Sequence, residues 1–198
     1  FGSSISLSSD GSIVAAGAPF NDGNGADSGH VRAYQYQTDS WVQLGIEIDG
    51  ESAEDKSGSS IRLSSNGNLI VIGAPHNDGN GTDSGHVREY EYQFDTWVQT
   101  GSDVDGESAG DGFGSSISSS SDDKVFVIGA SSNDLNGIAS GYSRVYQDSY
   151  FPDWHYNCYP VYDYWGYYLY DDCFWEYYSS YTTDNWQHIL DIEGESEG

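Results

Sequence analysis

Near the start of the chain Ile5 and Leu7 alternate with Ser4 and Ser6, the period-two pattern of a half-buried strand. Ser9-Asp10-Gly11 then reads as a tight turn, with glycine where a positive φ is needed. Residues 13–17 form a continuous apolar run with β-branched members, which suits a strand covered on both faces. An Asn/Asp/Gly loop at 21–25 ends that run. Residues 31–36 alternate again and place Arg32, Tyr34 and Tyr36 on one face. Val42, Leu44, Ile46 and Ile48 alternate as a fourth strand. No window carries a 3.6-residue apolar stripe, so the expected fold class is all-β.

The same unit returns. Gly2-Ser3-Ser4-Ile5 recurs as Gly58-Ser59-Ser60-Ile61 and as Gly114-Ser115-Ser116-Ile117, 56 residues apart each time. The apolar run recurs at 69–75 and 125–130, and the stretch 41–51 recurs at 97–107 and, shortened, at 186–195. The expected organisation is repeat 1 at 1–56, repeat 2 at 57–112 and repeat 3 at 113–198, the last carrying an insertion at 147–185. Four short strands per unit at this period is the pattern of β-propeller blades, each too small to hide its own faces.

Composition narrows the function classes. Among 198 residues, 32 Asp and Glu face six Lys and Arg, a formal net charge of −26. Such a surface repels phosphate, which excludes a reader of DNA or RNA, and it repels anionic lipid headgroups. No apolar run approaches the length of a membrane span. The chain opens on Phe1 rather than Met, as expected of a processed product or a segment of something longer.

Phe1-Gly2 and Phe113-Gly114, followed by Gly17-Ala18-Pro19 and Gly73-Ala74-Pro75, resemble the FG-GAP repeat of integrin α-subunit propellers. The longer pattern is similar to a variant found in secreted or surface proteins of algae and marine bacteria. The resemblance covers residues 1–146, resumes at Trp186, and implies antiparallel four-stranded blades. Two features depart from it. Integrin-type calcium loops carry Asp-x-Asp-x-Asp-Gly between the first two strands, where this chain has only Ser9-Asp10-Gly11. Three blades and a fraction are also too few for a seven-bladed ring.

Oxygen donors dominate the candidate chemistry. Asn21, Asp22, Asn24 and Asp27 cluster with glycines in one loop, Asn77, Asp78, Asn80 and Asp83 in the next, and Asn133, Asp134 and Asn136 in the third. Ca²⁺ asks for such carboxylate, amide and carbonyl oxygens in flexible geometry. The competing reading is that Asn, Asp and Gly tolerate left-handed backbone and cap their own turn. A second acidic series, Glu47, Asp49 and Glu51, then Asp103, Asp105 and Glu107, then Asp191, Glu193 and Glu195, reads as a solvated edge whose mutual repulsion salt or divalent ions would relieve. No nucleophile elbow, phosphate loop or zinc spacing is present, and no enzyme activity is expected.

The insertion is dense in aromatic residues, among them Tyr156, Tyr159, Tyr162, Tyr164, Trp165, Tyr167, Tyr168, Trp175, Tyr177 and Tyr178, which are candidate interface residues. A contact with another copy, a sugar-stacking platform and a lid over its own blade are the three open readings. Cys158 and Cys173 are the chain's two cysteines, read as one local disulfide closing a loop of about 15 residues and contributing about 3 kcal/mol. That points to an oxidising, extracellular or cell-surface setting. Asn80-Gly81-Thr82 is an N-glycosylation sequon, in competition with any metal role for Asn80. The sequence therefore predicts an extracellular structural or adhesive protein whose partners are copies of itself. The alternative is a calcium-dependent propeller that binds glycans or cell-surface proteins.

Overall fold

A computed structural model describes residues 1–133, 140–148, 153–162, 168–178 and 186–193, with side chains through residue 147 and again at 190–192. Among the described residues there is no helix. The first sheet runs β1 (Ser4–Leu7), β2 (Ile13–Ala18), β3 (His30–Gln37) and β4 (Ser40–Gln43) in sequential antiparallel order, with β5 (Ile48–Asp49) also paired to β3. The second runs β6 (Ser60–Leu63), β7 (Leu69–Ala74), β8 (His86–Gln93) and β9 (Thr96–Asp105). The third begins with β10 (Phe113–Ser119), β11 (Val125–Ala130) and β12 (Tyr142–Asp148). A separate hairpin of β13 (Asp153–Tyr162) and β14 (Tyr168–Tyr178) follows, and β15 (Trp186–Glu193) then completes the third sheet beside β12. The all-β expectation and the four-strand unit hold.

Turn chemistry explains the short strands. Asp10 accepts from the Ser12 amide and the Ser8 hydroxyl, while Gly11 takes φ 71°. Asn66 and Asp122 do the same work after β6 and β10. Between the third and fourth strands the first two sheets use two-residue turns, Thr38-Asp39 and Phe94-Asp95, with positive φ at both positions. Such turns match the right-handed twist of the flanking strands. In the third sheet the aromatic insertion leaves the chain at that same point.

The fourth strand departs from the expected alternation. Gly45 and Gly101 adopt φ 72° and 71°, and the β8–β9 register shifts between Val87 and Glu89. In the first sheet this break separates β4 from β5, so Ile46 faces solvent while Ile48 is buried. Equal spacing in sequence hid a change of face, because a bulge re-aims every residue beyond it.

The three sheets stack within one compact unit. In the first seam Ile61, Leu63, Ile70 and Ile72 of the second sheet cluster with Ile13, Ala15, Val31, Ala33 and Ile48 of the first. In the second seam Phe113, Phe126, Ile128 and Tyr146 of the third sheet meet Val71 and Val87 of the second. Each Leu or Ile fully buried in a seam contributes about 1.5–3 kcal/mol. Close approach at the first strands needs small residues: a Cβ on Gly17 would sit 2.1 Å from Gly58 O, and one on Gly73 the same distance from Gly114 O. Ser4 and Ser60 hydroxyls donate to those two carbonyls, at 2.7 and 2.6 Å. Farther out, the Trp97 indole N–H crosses the first seam to Leu44 O at 2.9 Å.

The hairpin spans the second compact unit, residues 149–183. Its register sets Cys158 opposite Cys173 and Tyr156 opposite Trp175. The side chains of Tyr156, Tyr159, Tyr162, Tyr168, Trp175, Tyr177 and Tyr178, and all of Tyr164, Trp165 and Tyr167, lie outside the described residues, as does the sulfur chemistry of the two cysteines.

Candidate functional site

Three of the four arginines, Arg32, Arg88 and Arg144, fall at one repeat position, on the third strand of each sheet. An acidic residue from the segment that follows the third strand lies beside each. Arg88 Nε donates to Asp103 Oδ1 at 2.8 Å, and its Nη2 reaches back across the seam to Glu51 Oε2 at 2.6 Å. Arg144 repeats the arrangement with Asp191 at 2.8 Å and with Glu107 from the second sheet's linker. Among the described residues Arg32 has only Glu47, at 3.2 Å and without a hydrogen bond from its Nε–H. Asp103 and Asp191 are therefore each held by an arginine, while Glu47 only lies near one. This corrects the expectation of a repelling, solvated edge for Asp103 and Asp191.

Electrostatics follow from that geometry. Burial alone would lower the Arg88 pKa, but its hydrogen bond and charge pairing with Asp103 more than reverse this, and the guanidinium stays charged. Burial alone would raise Asp103, yet Arg88 holds its carboxyl below the usual range. His86 is pushed down to about 4, first by burial and then by the Arg88 charge, so it is neutral at neutral pH.

Glu51, His86 and Asp103 bring their ligand atoms within 4.8 Å of one another, a spacing a metal ion can use. Arg88 Nη2 already bonds both carboxylates there. A cation would have to displace the guanidinium, and the imidazole is not the oxygen donor Ca²⁺ prefers. The chemistry of this cluster is that of an ion-pair clamp between sheets.

The Asn/Asp loops are closed by their own side chains. Asn21 and Asn77 accept from the amides of Gly23 and Gly79, and Asp22 and Asp78 from those of Asp27 and Asp83. Asn24 donates to Gly50 O and Glu51 O, and Asn80 donates to Gly106 O and Glu107 O. Asp83 also meets His76 Nδ1 at 2.7 Å. Asn77 and Asn133 are buried, and each pins a linker carboxylate, Asp55 at 3.0 Å and Asp111 at 2.7 Å. Asp134 and Asn136 lie outside the described residues. Both amide hydrogens of Asn80 are engaged, so a glycan on that nitrogen would cost one of the two bonds.

Sequence reasoning missed Asp55 and Asp111, which are almost fully buried, and missed the arginine clamp. The available signal was repetition: scarce arginines at one phase, and an Asp four residues after Glu51 and Glu107. No protein-family model matches this chain, and no curated protein is found to be similar to it.

Proposed function

We propose that this chain is an extracellular structural or adhesive repeat protein that assembles with copies of itself. One observation carries the reading. The outward face of the first sheet, with Ile5, Leu7, Tyr36 and Trp41, is exposed, while the same repeat positions in the second sheet form a buried or partly buried seam. A surface built as an interface and left open to water favours a partner. Three sheets packed through their first strands also suit three blades of a propeller of the FG-GAP kind, with repeats bounded near 56 and 112. The opposed Cys158 and Cys173 support a disulfide, and with it an oxidising, extracellular setting.

A calcium-dependent ligand-binding propeller is the second reading, supported by Asp49 and Asp105. Their carboxylates approach the Asn/Asp loops, 3.5 and 3.4 Å from where a Cβ on Gly23 and Gly79 would stand. Negative-stain imaging and sedimentation with and without chelator separate the two. Assembly that persists in chelator supports the structural reading. Monomers at every concentration that bind glycan only with calcium overturn it.

A further inference from the structure

The two outer faces of the three-sheet stack are complementary, repeat position by repeat position. On the first sheet Ile5 and Leu7 are 71% and 55% exposed, whereas Ile61 and Leu63, at the same positions of the second sheet, are 8% and 0% exposed against their neighbour. On the third sheet Leu190 and Ile192 are exposed, whereas Ile48 and Val104, at the position of Ile192, pack into the two seams.

Polar groups repeat the pattern. A cavity of about 280 Å³ at the first sheet is lined by Phe1, Phe20, Asn21, His30 and Arg32, among others. His30 is 3% exposed, and among the described residues neither its Nε2 nor Arg32 Nε has a hydrogen-bond partner. At the second sheet the matching residues are engaged by the preceding linker: Arg88 holds Glu51, Asn77 holds Asp55, and the His76 amide donates to Asp55 O. At the third sheet Arg144 holds Glu107, and Asn133 and the Ser132 amide hold Asp111. The cavity stands at the repeat position that a linker fills on the other two sheets. In sequence, Glu195-Ser196 stands where Glu51-Ser52 and Glu107-Ser108 stand.

The opposite face has the matching slot. Ser116 and Gly129, which line a groove of about 430 Å³ with Ile192, are the counterparts of Ser4 and Gly17 and of Ser60 and Gly73. Those earlier pairs embrace the carbonyl of Gly58 and of Gly114. Among the described residues the atoms nearest a Cβ on Gly129 are serine side chains of its own sheet, and Gly2 is the counterpart of Gly58 and Gly114.

We propose that a second copy of this chain docks the outward face of its third sheet onto the outward face of the first sheet, with Glu195 of that copy entering the cavity lined by His30 and Arg32. The join is heterologous, so each added copy brings one further face of each kind, and the series ends only where a ring closes. This deepens, and rests on, the self-assembly reading above. Screening favours it, because the repulsion between two acidic copies falls with salt while the apolar contact does not.

Sedimentation velocity at roughly physiological salt tests it. The wild-type chain is expected to form a concentration-dependent series. Ile5→Asp with Leu7→Asp, and separately Leu190→Asp with Ile192→Asp, each give monomers alone; all four positions are solvent-facing, and circular dichroism verifies that both variants fold. Mixed in equal amounts, the two give dimers and nothing longer, since one sound face of each kind remains. Glu195→Gln weakens joining about tenfold, as loss of one charge-assisted contact would, and Glu197→Gln leaves it unchanged. Wild-type monomers at every concentration overturn both this inference and the self-assembly reading. Assembly of either face variant as readily as wild type, or a mixture that stays monomeric, overturns this inference alone.

Discussion

Arg88 donates to Glu51 across the seam between the first two sheets, Nη2 to Oε2 at 2.6 Å, while its Nε bonds Asp103 on the neighbouring strand. One guanidinium thereby ties a linker, a strand pair and a sheet interface. The Arg88 side chain is 15% exposed and that of Arg32 is 35% exposed.

Arg88→Met is therefore expected to lower stability by about 2 kcal/mol, because it leaves the part-buried Asp103 carboxylate without its cation, while the exposed Glu51 is repaired by water. Arg32→Met, with one exposed partner, should cost less than about 1 kcal/mol. Urea denaturation of both variants measures the difference. Equal losses would remove the clamp from the account.

Gly73→Ala places a methyl group 2.1 Å from Gly114 O, a backbone atom that cannot turn away. The second and third sheets must separate, and the expected cost is about 3 kcal/mol or more. Gly129→Ala meets only the Ser116 hydroxyl, at 2.4 Å, which a change of rotamer relieves, so a loss below about 1 kcal/mol is expected. Thermal unfolding of the two variants compares one repeat position with and without a covering sheet.

His86 supplies a pH dependence. Its folded pKa of about 4 lies below the ordinary 6.5. Between those values the unfolded chain binds a proton that the folded chain refuses, so stability falls as the pH drops through this window, by at most about 3 kcal/mol. Asp55 and Asp105 act oppositely: burial raises both, so as the pH falls the folded chain takes up their protons before the unfolded chain does. Denaturation at pH 7 and pH 5 should show a clear loss for wild type and a smaller one for His86→Gln. Parallel profiles would contradict the burial of this imidazole.

The strands were legible in the sequence because period-two alternation and a 56-residue repeat report local geometry directly. Ile46 was misplaced because the bulge at Gly45 changes the face without changing the spacing. The clamp was not legible for a different reason. Glu51 and Arg88 lie 37 residues apart, and a carboxylate series reads as solvated until a neighbouring sheet is set against it. Asn77 shows the remaining ambiguity: a residue suited to binding an ion is equally suited to capping Gly79 and pinning Asp55, and only geometry reveals which bonds it makes.

Replacing residues 149–185 with a Thr-Asp turn should leave the third sheet intact. β12 and β15 pair over seven registered positions, and a two-residue turn of this kind closes the first sheet. Hydrogen exchange at Val145 and Leu190 measures it, with protection retained as the expected result and lost protection assigning the hairpin a folding role.

The stacking of sheet on sheet is tested most directly by the indole N–H protons of Trp97 and Trp41, equivalent residues on successive repeats. In the dilute chain, Trp97 is predicted to show slow exchange and a cross-peak to the Gly45 α-protons, as its bond to Leu44 O requires, while the half-exposed Trp41 exchanges fast. Equal, fast exchange of both indoles with no cross-seam contact would contradict the account.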